Sequence, residues 1–145
     1  MNNKRIITPK VLTVGVYDML HIGHIKLFQH IKETIGDCHL IAAVQEESVI
    51  KKYKPQADVF YSDQERQYMV GSIRYVDEVI SYKDVDIDIQ KVDFDIFAKG
   101  PDQNHEGFKR AIEWCKSNGK KVVEIPRTEG ISTTSIKVYK KNLSL

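Results

Sequence analysis

The chain predicts an α/β domain built on a doubly wound, parallel, five-stranded sheet, and three observations carry that prediction. Five short runs rich in Val, Ile and Phe recur along 145 residues, each long enough for one buried strand. Segments with helical spacing or helix-start chemistry separate them, the alternation expected of parallel strands joined by right-handed crossovers. The length suits one domain, residues 1–145, and neither a repeat nor a low-complexity linker divides it.

Taken in order, "KVLTVGVY" at 10–17 is almost continuously apolar and β-branched, as a strand covered on both faces should be. After "DML", Ile22, Ile25, Leu27, Phe28 and Ile31 recur at three- and four-residue steps, giving a helix that stops before Gly36. "CHLIAAVQ" is the second strand. The next sixteen residues, "EESVIKKYKPQADVFY", read as a long basic loop, helical at most at its start. Ser62 and Glu65 form a capping box for a helix carrying Met69, Val70 and Ile73, and "YVDEVI" at 75–80 is the third strand. "KDVDIDIQKVD" alternates like a strand, yet a crossover helix is needed there and is expected. "FDIFAK" supplies the fourth strand, "HEGFKRAIEWCKSNG" a helix closed by Gly119 at C′, and "KKVVEIP" the fifth strand. Residues 132–141 complete the pattern as a last helix.

Composition narrows the partners. A net charge of +2 argues against duplex nucleic acid and suits a small anionic ligand better. No segment approaches the roughly 20 apolar residues of a membrane span. The opening "MNNKRIITPK" lacks the apolar stretch of a signal peptide, and two distant cysteines, Cys38 and Cys115, read as buried thiols; a cytoplasmic protein is expected.

Two chain reversals carry chemistry. "GVYDMLHIGH" follows the first strand, at the rim where such sheets bind ligands. His21 and His24 lie three apart in the first turn of a helix, beside unpaired N–H groups, and Gly23 between them lets an oxyanion approach the backbone. His-x-x-His is also a zinc spacing, but no further ligand falls at a recognisable interval, and a phosphate ranks above zinc. The second reversal, "RTEGISTTSI", follows the fifth strand. Gly130 frees its backbone, Ser132, Thr133 and Thr134 offer hydroxyls, and Arg127 offers a fork matched to phosphate. Capping alone would account for any one hydroxyl; three, with a glycine and an arginine, exceed it. Between them, Lys52 and Lys54 of "KKYK" add cations on an extended loop, pointing to opposite sides.

"HIGH" after a strand, "RYVDEVI" mid-chain and "RTEGISTT" near the end together resemble the small HxGH cytidylyltransferases, above all the bacterial enzymes acting on glycerol 3-phosphate. The resemblance spans about Val11 to Ile136. It implies a Rossmann-like fold, a homodimer, CTP and a phosphorylated alcohol as substrates, and Mg²⁺ accompanying the nucleotide. By that resemblance His21, His24, Lys54 and Arg127 are catalytic. Val16, Tyr17, Asp18, Gly23 and residues Thr128, Gly130, Ile131, Ser132, Thr133 and Thr134 bind nucleotide, while Lys52, Arg66, Arg74 and Asp102, with Asp18, contact the acceptor.

The acceptor's phosphate is anionic at neutral pH and needs no general base to attack the α-phosphorus. Two departures bear on the acceptor. Acidic "DVDID" stands where the glycerol-phosphate enzymes place a lysine, Asp88 falling at that spot, and "KGPDQNHEG" replaces a shorter loop. Another polyol phosphate, or ethanolamine or choline phosphate, therefore stays open as acceptor. An adenylyltransferase and a non-catalytic nucleotide-binding regulatory domain are the remaining rivals.

Overall fold

A computed structural model describes residues 8–126 of the chain. Its strands are β1 (Lys10–Gly15), β2 (His39–Gln45), β3 (Glu78–Tyr82), β4 (Ile96–Lys99) and β5 (Lys121–Glu124). Between them lie α1 (Ile22–Ile35), α2 (Glu47–Tyr53), α3 (Asp63–Gly71), α4 (Val85–Asp88), which runs on into a 3-10 turn at Ile89–Lys91, and α5 (Glu106–Ser117). All strand pairs are parallel, in the order β3-β2-β1-β4-β5. The chain winds outward in both directions from the centre, and the order reverses between β1 and β4. A crevice at the carboxyl ends of those two strands is where such sheets receive ligands.

Strand alternation sorts the core into two layers. Leu12 and Val14 of β1, Ile41 and Ala43 of β2 and Phe97 of β4 pack with Val85, Ile89, Phe108, Ala111 and Cys115 under α4 and α5. Val11, Leu40, Ala42, Val44 and Ala98 point the other way, onto Phe28 and Ile31 of α1 and Val70 of α3. The near-continuous apolar runs thus reflect burial on both faces, the reason parallel strands lose the in–out alternation of a half-exposed sheet.

The helix boundaries follow their caps. Ser62 Oγ accepts from Glu65 N–H at 3.1 Å and Glu65 Oε1 accepts from Ser62 N–H at 3.1 Å, the reciprocal box expected from the sequence. At the end of α5, Gly119 sits at φ 71° and Lys120 N–H donates to Cys115 O at 2.8 Å, the six-to-one bond of a Schellman cap.

Two boundaries differ from the sequence expectation. The first strand stops at Gly15, because Tyr17 turns to φ 54° and takes the chain out of the sheet. The third begins at Glu78, since residues 72–76 prolong α3 in helix-like turns, with Ile73 N–H on Val70 O and Val76 N–H on Ile73 O. The basic segment is helical at its start, as expected, over Glu47–Tyr53, with Val49 and Ile50 buried. The stretch "KDVDIDIQKVD" folds as the expected crossover helix, Val85 and Ile89 facing inward four residues apart while Ile87 is exposed.

Candidate active site

At the carboxyl end of β1 the turn is wound tightly. Tyr17 and Met19 both adopt left-handed backbone, at φ 54° and 51°. The Tyr17 ring folds back over Gly15, where a Cβ would stand 2.8 Å from its Cζ; only glycine admits the ring there. Tyr17 is buried, and burial holds its phenol well above the ordinary range, so it remains uncharged. Its hydroxyl lies beside Thr13, short of hydrogen-bond geometry, and its ring meets His24 edge-on with centroids 5.6 Å apart.

His21 is the N-cap of α1. Its Nδ1 accepts the N–H of Gly23 at 3.0 Å, and the Nδ1 of His24 accepts the N–H of His21 at 3.2 Å. The two imidazoles therefore build a capping box, with histidines in the places usually held by Ser/Thr and Glu/Gln. A ring nitrogen that accepts carries no proton, so in each neutral ring the proton sits on Nε2, which is left as the donor. The rings stack with centroids 4.0 Å apart and planes inclined 30°. Burial, and then the neighbouring His21, push the His24 pKa down to about 4, so this ring is neutral at physiological pH. One polar turn thus presents two N–H edges beside the positive end of a fourteen-residue helix.

Asp18 and Arg66 hold this turn against its surroundings. The buried Asp18 carboxylate accepts Phe60 N–H through Oδ2 at 2.8 Å and Tyr61 N–H through Oδ1 at 3.0 Å, which ties the segment after α2 to the histidine turn. Arg66 has no exposed surface. Its Nη1 donates to Val16 O at 3.0 Å and Gln45 O at 2.7 Å, its Nε to Tyr61 O at 3.2 Å, and its Nη2 to the Asp63 carboxylate. The expectation that Arg66 contacts an acceptor is corrected here: its guanidinium is sealed in and joins the ends of β1 and β2 to α3. Arg74 is corrected as well. It lies in the turn that enters β3 at Glu78, and so at the amino-end rim, opposite the histidines.

Lys52 and Lys54 are exposed, Lys52 in the last turn of α2 and Lys54 at its C-cap, so they do not alternate along an extended strand. Val16 lends its carbonyl to Arg66. Asp102 is exposed in the turn after β4, at the carboxyl rim. Arg127, Thr128, Gly130, Ile131, Ser132, Thr133 and Thr134, with the last helix, lie outside the described residues.

Sequence reasoning overlooked the pinning of the loop after β4. Gln103 accepts Gly100 N–H through Oε1 at 3.0 Å and donates from Nε2 to Val14 O at 2.8 Å. The buried Lys99 donates to Asn104 Oδ1 and Glu124 Oε1, both at 3.2 Å. His105 is the N-cap of α5, and its Nδ1 accepts Gly107 N–H at 3.1 Å. A signal was there to find: the triplet His-x-Gly opens both helices, at 21–23 and 105–107.

The acidic segment after β3 is internally paired. Asp84 accepts from Tyr53 Oη at 2.8 Å, Asp86 from Arg110 Nε at 2.8 Å, and Asp88 from Lys83 N–H at 2.6 Å. Among the described residues no three His, Cys, Asp or Glu side chains converge on a metal position, and no helix is long and apolar enough to cross a membrane.

A doubly wound parallel sheet with an imidazole-bearing helix start at its switch point defines a nucleotide-handling α/β domain. Comparison places it more narrowly: residues 12–138 match the family described as Cytidylyltransferase-like, and the chain belongs to that family. Glycerol-3-phosphate cytidylyltransferase of Staphylococcus aureus is 39% identical over 131 residues, covering 88% of this chain and 92% of that protein. The enzyme of the same name from Bacillus subtilis is 38% identical over 131 residues, with 88% and 94% covered. FAD synthase of Pyrococcus abyssi is 36% identical over 107 residues, with 72% and 68% covered. Among solved structures, the lipopolysaccharide core biosynthesis protein of Thermoplasma volcanium shares the fold with a TM-score of 0.68 at 22% identity, covering 83% of this chain and 98% of that one.

Proposed function

We propose that the chain transfers CMP from CTP to a phosphorylated small alcohol of the glycerol 3-phosphate kind. Pyrophosphate leaves, and the CDP-alcohol formed is an activated precursor for a surface polymer or lipid. The observation that carries this reading is the pair of stacked, mutually capping imidazoles at the start of α1. The near full-length similarity to two glycerol-3-phosphate cytidylyltransferases supports the choice of nucleotide and acceptor.

In this reaction an acceptor phosphate oxygen forms the new bond to the α-phosphorus, and the bond from that phosphorus to the bridging oxygen of pyrophosphate breaks. No proton is abstracted from the attacking oxygen. The protein contributes alignment and a field for the charge that builds on the five-coordinate phosphorus and the departing oxygen. Nε2–H of His21 and His24, fixed by their own helix start, are donors aimed without rotamer search. Lys52 and Lys54 add positive charge from α2. Arg127 and residues 128–134 are proposed to hold the nucleotide from the second chain reversal, and Asp102 to contact the acceptor. Mg²⁺ is proposed to arrive with the triphosphate as its counter-ion. Among the described residues no three His, Cys, Asp or Glu side chains are placed to hold a resident ion.

A phosphorylated polyol is favoured over an amino-alcohol phosphate by the near full-length similarity to two glycerol-3-phosphate cytidylyltransferases. A homodimer in the cytoplasm belongs to the same proposal; the two buried free cysteines accord with a reducing compartment.

The test is a matrix of CTP and ATP against glycerol 3-phosphate, other polyol phosphates, and ethanolamine and choline phosphate, read as pyrophosphate release. CTP with a polyol phosphate is expected to be the productive pair. Turnover confined to ATP would replace the reading with adenylyl transfer, and tight CTP binding without turnover on any acceptor would replace it with a regulatory module.

A further inference from the structure

The crevice has a second wall. α1 and α5 leave opposite faces of the sheet, from the two strands that flank the switch point, and both begin with a histidine whose Nδ1 accepts the N–H of a glycine two residues on. At α5 the glycine has a steric reason: a Cβ on Gly107 would lie 3.0 Å from His105 Cε1 and 3.2 Å from its Nδ1. The His105 ring is further fixed by an edge contact with Phe108, centroids 4.5 Å apart. With Nδ1 accepting, neutral His105 keeps its proton on Nε2, as His21 does.

Cations gather around this ring. Partial burial lowers the proton affinity of His105, and Lys54, at the end of α2, and Arg110, on α5, lower it further; Asp86 acts in the opposite sense. Arg110 is steered there by its Nε bond to Asp86 at 2.8 Å, a contact that leaves its two terminal nitrogens as donors. Tyr53, next to Lys54, is anchored on Asp84 at 2.8 Å, so α2 and the start of α4 are held together beside α5. Two elements far apart in sequence, α2 and α5, thus bring an ammonium, an N–H donor and a guanidinium to the carboxyl-end rim, across the sheet from His21 and His24.

We propose that His105 and Arg110, with Lys54 at their edge, form an anion subsite that takes the phosphate monoester of the acceptor. This rests on the transfer reaction proposed above and assigns its second substrate to the α5 wall, with the triphosphate on the α1 wall. In-line attack requires the two phosphates to meet at the crevice.

Two variants test it. His105→Asn keeps a good N-cap and removes the Nε2–H donor; Arg110→Gln removes a surface cation. Each is expected to raise the KM for glycerol 3-phosphate about tenfold, with the KM for CTP within about twofold of the parent, as expected for loss of one charge-assisted hydrogen bond. In the parent protein without nucleotide, titration with glycerol 3-phosphate should shift the His105 ring resonances, and titration with glycerol should not. Unchanged acceptor KM in both variants, or an equal rise for CTP, overturns the subsite. A parent that turns over no acceptor but whose His105 resonances respond to glycerol 3-phosphate retains the subsite and loses the transfer reaction.

Discussion

His24 Nδ1 receives the backbone N–H of His21 at 3.2 Å, so the second histidine closes the turn that the first one opens. This single bond links helix formation to chemistry. A Ser or Asp cap would satisfy the same backbone groups, but it would leave nothing pointing outward. An imidazole has two nitrogens on opposite sides of a rigid ring, and here Nδ1 serves the helix while the proton of the neutral ring sits on Nε2.

The two duties can be separated by substitution. His21→Asn retains a side-chain acceptor for the Gly23 N–H and should leave the denaturation midpoint nearly unchanged. It removes the Nε2 donor, and turnover should fall about 10²–10³-fold, the loss typical of one preorganised transition-state donor. His21→Ala loses both, adding roughly 0.5–2 kcal/mol of destabilisation for the missing cap. Turnover near the parent level in His21→Asn would remove the ring from the mechanism.

Acid should unfold the chain partly through His24. Folded, its pKa is about 4; unfolded, it returns to the ordinary 6.5, so below 6.5 the unfolded chain takes up the proton first. The stabilisation from keeping this ring neutral is complete above pH 6.5 and is lost progressively down to about 4. At one pKa unit per ~1.4 kcal/mol the loss reaches on the order of 3 kcal/mol, an upper bound for a half-buried ring. Urea midpoints measured from pH 7.5 to 4.5 should fall less steeply for His24→Gln than for the parent. Parallel slopes would show that the ring protonates freely in the folded chain.

Arg66→Met should act on stability before it acts on binding. It leaves the carbonyls of Val16, Gln45 and Tyr61 and the Asp63 carboxylate without their shared donor, at a position where the arginine itself has no exposed surface. Breaking a buried ionic group in this way typically costs about 3–5 kcal/mol. Equilibrium urea unfolding measures it. An unchanged midpoint together with a raised acceptor KM would return Arg66 to direct substrate contact.

Gly15→Ala tests the packing of the turn. The added methyl would lie 2.8 Å from Tyr17 Cζ, and Tyr17, only 4% exposed and packed against Phe28, has little room to retreat. Overpacking of this kind costs typically 1–3 kcal/mol. Because the same ring abuts His24, turnover should fall along with stability. A variant with a parental midpoint and parental turnover would show that the turn is softer than its geometry implies.

Local regularities made the strand–helix alternation, the capping box of α3, the C′ glycine of α5 and the placement of "HIGH" after the central strand readable from residue order. Each depends on neighbours within about four positions, where side-chain period and backbone capping act directly. Whether Asp18 and Arg66 serve ligand or scaffold was not written there. Their partners lie 42 and 50 residues away, at Phe60 and Val16, and only folding decides whether a charged group meets solvent or a backbone carbonyl. The acidic run "DVDID" looked like an open anionic patch until Tyr53, Arg110 and Lys83 arrived beside it. His105 gained its setting in the same way, when a crossover set α5 across the sheet from α1. Charge and hydrogen-bonding capacity belong to the residue; their direction belongs to the packed chain.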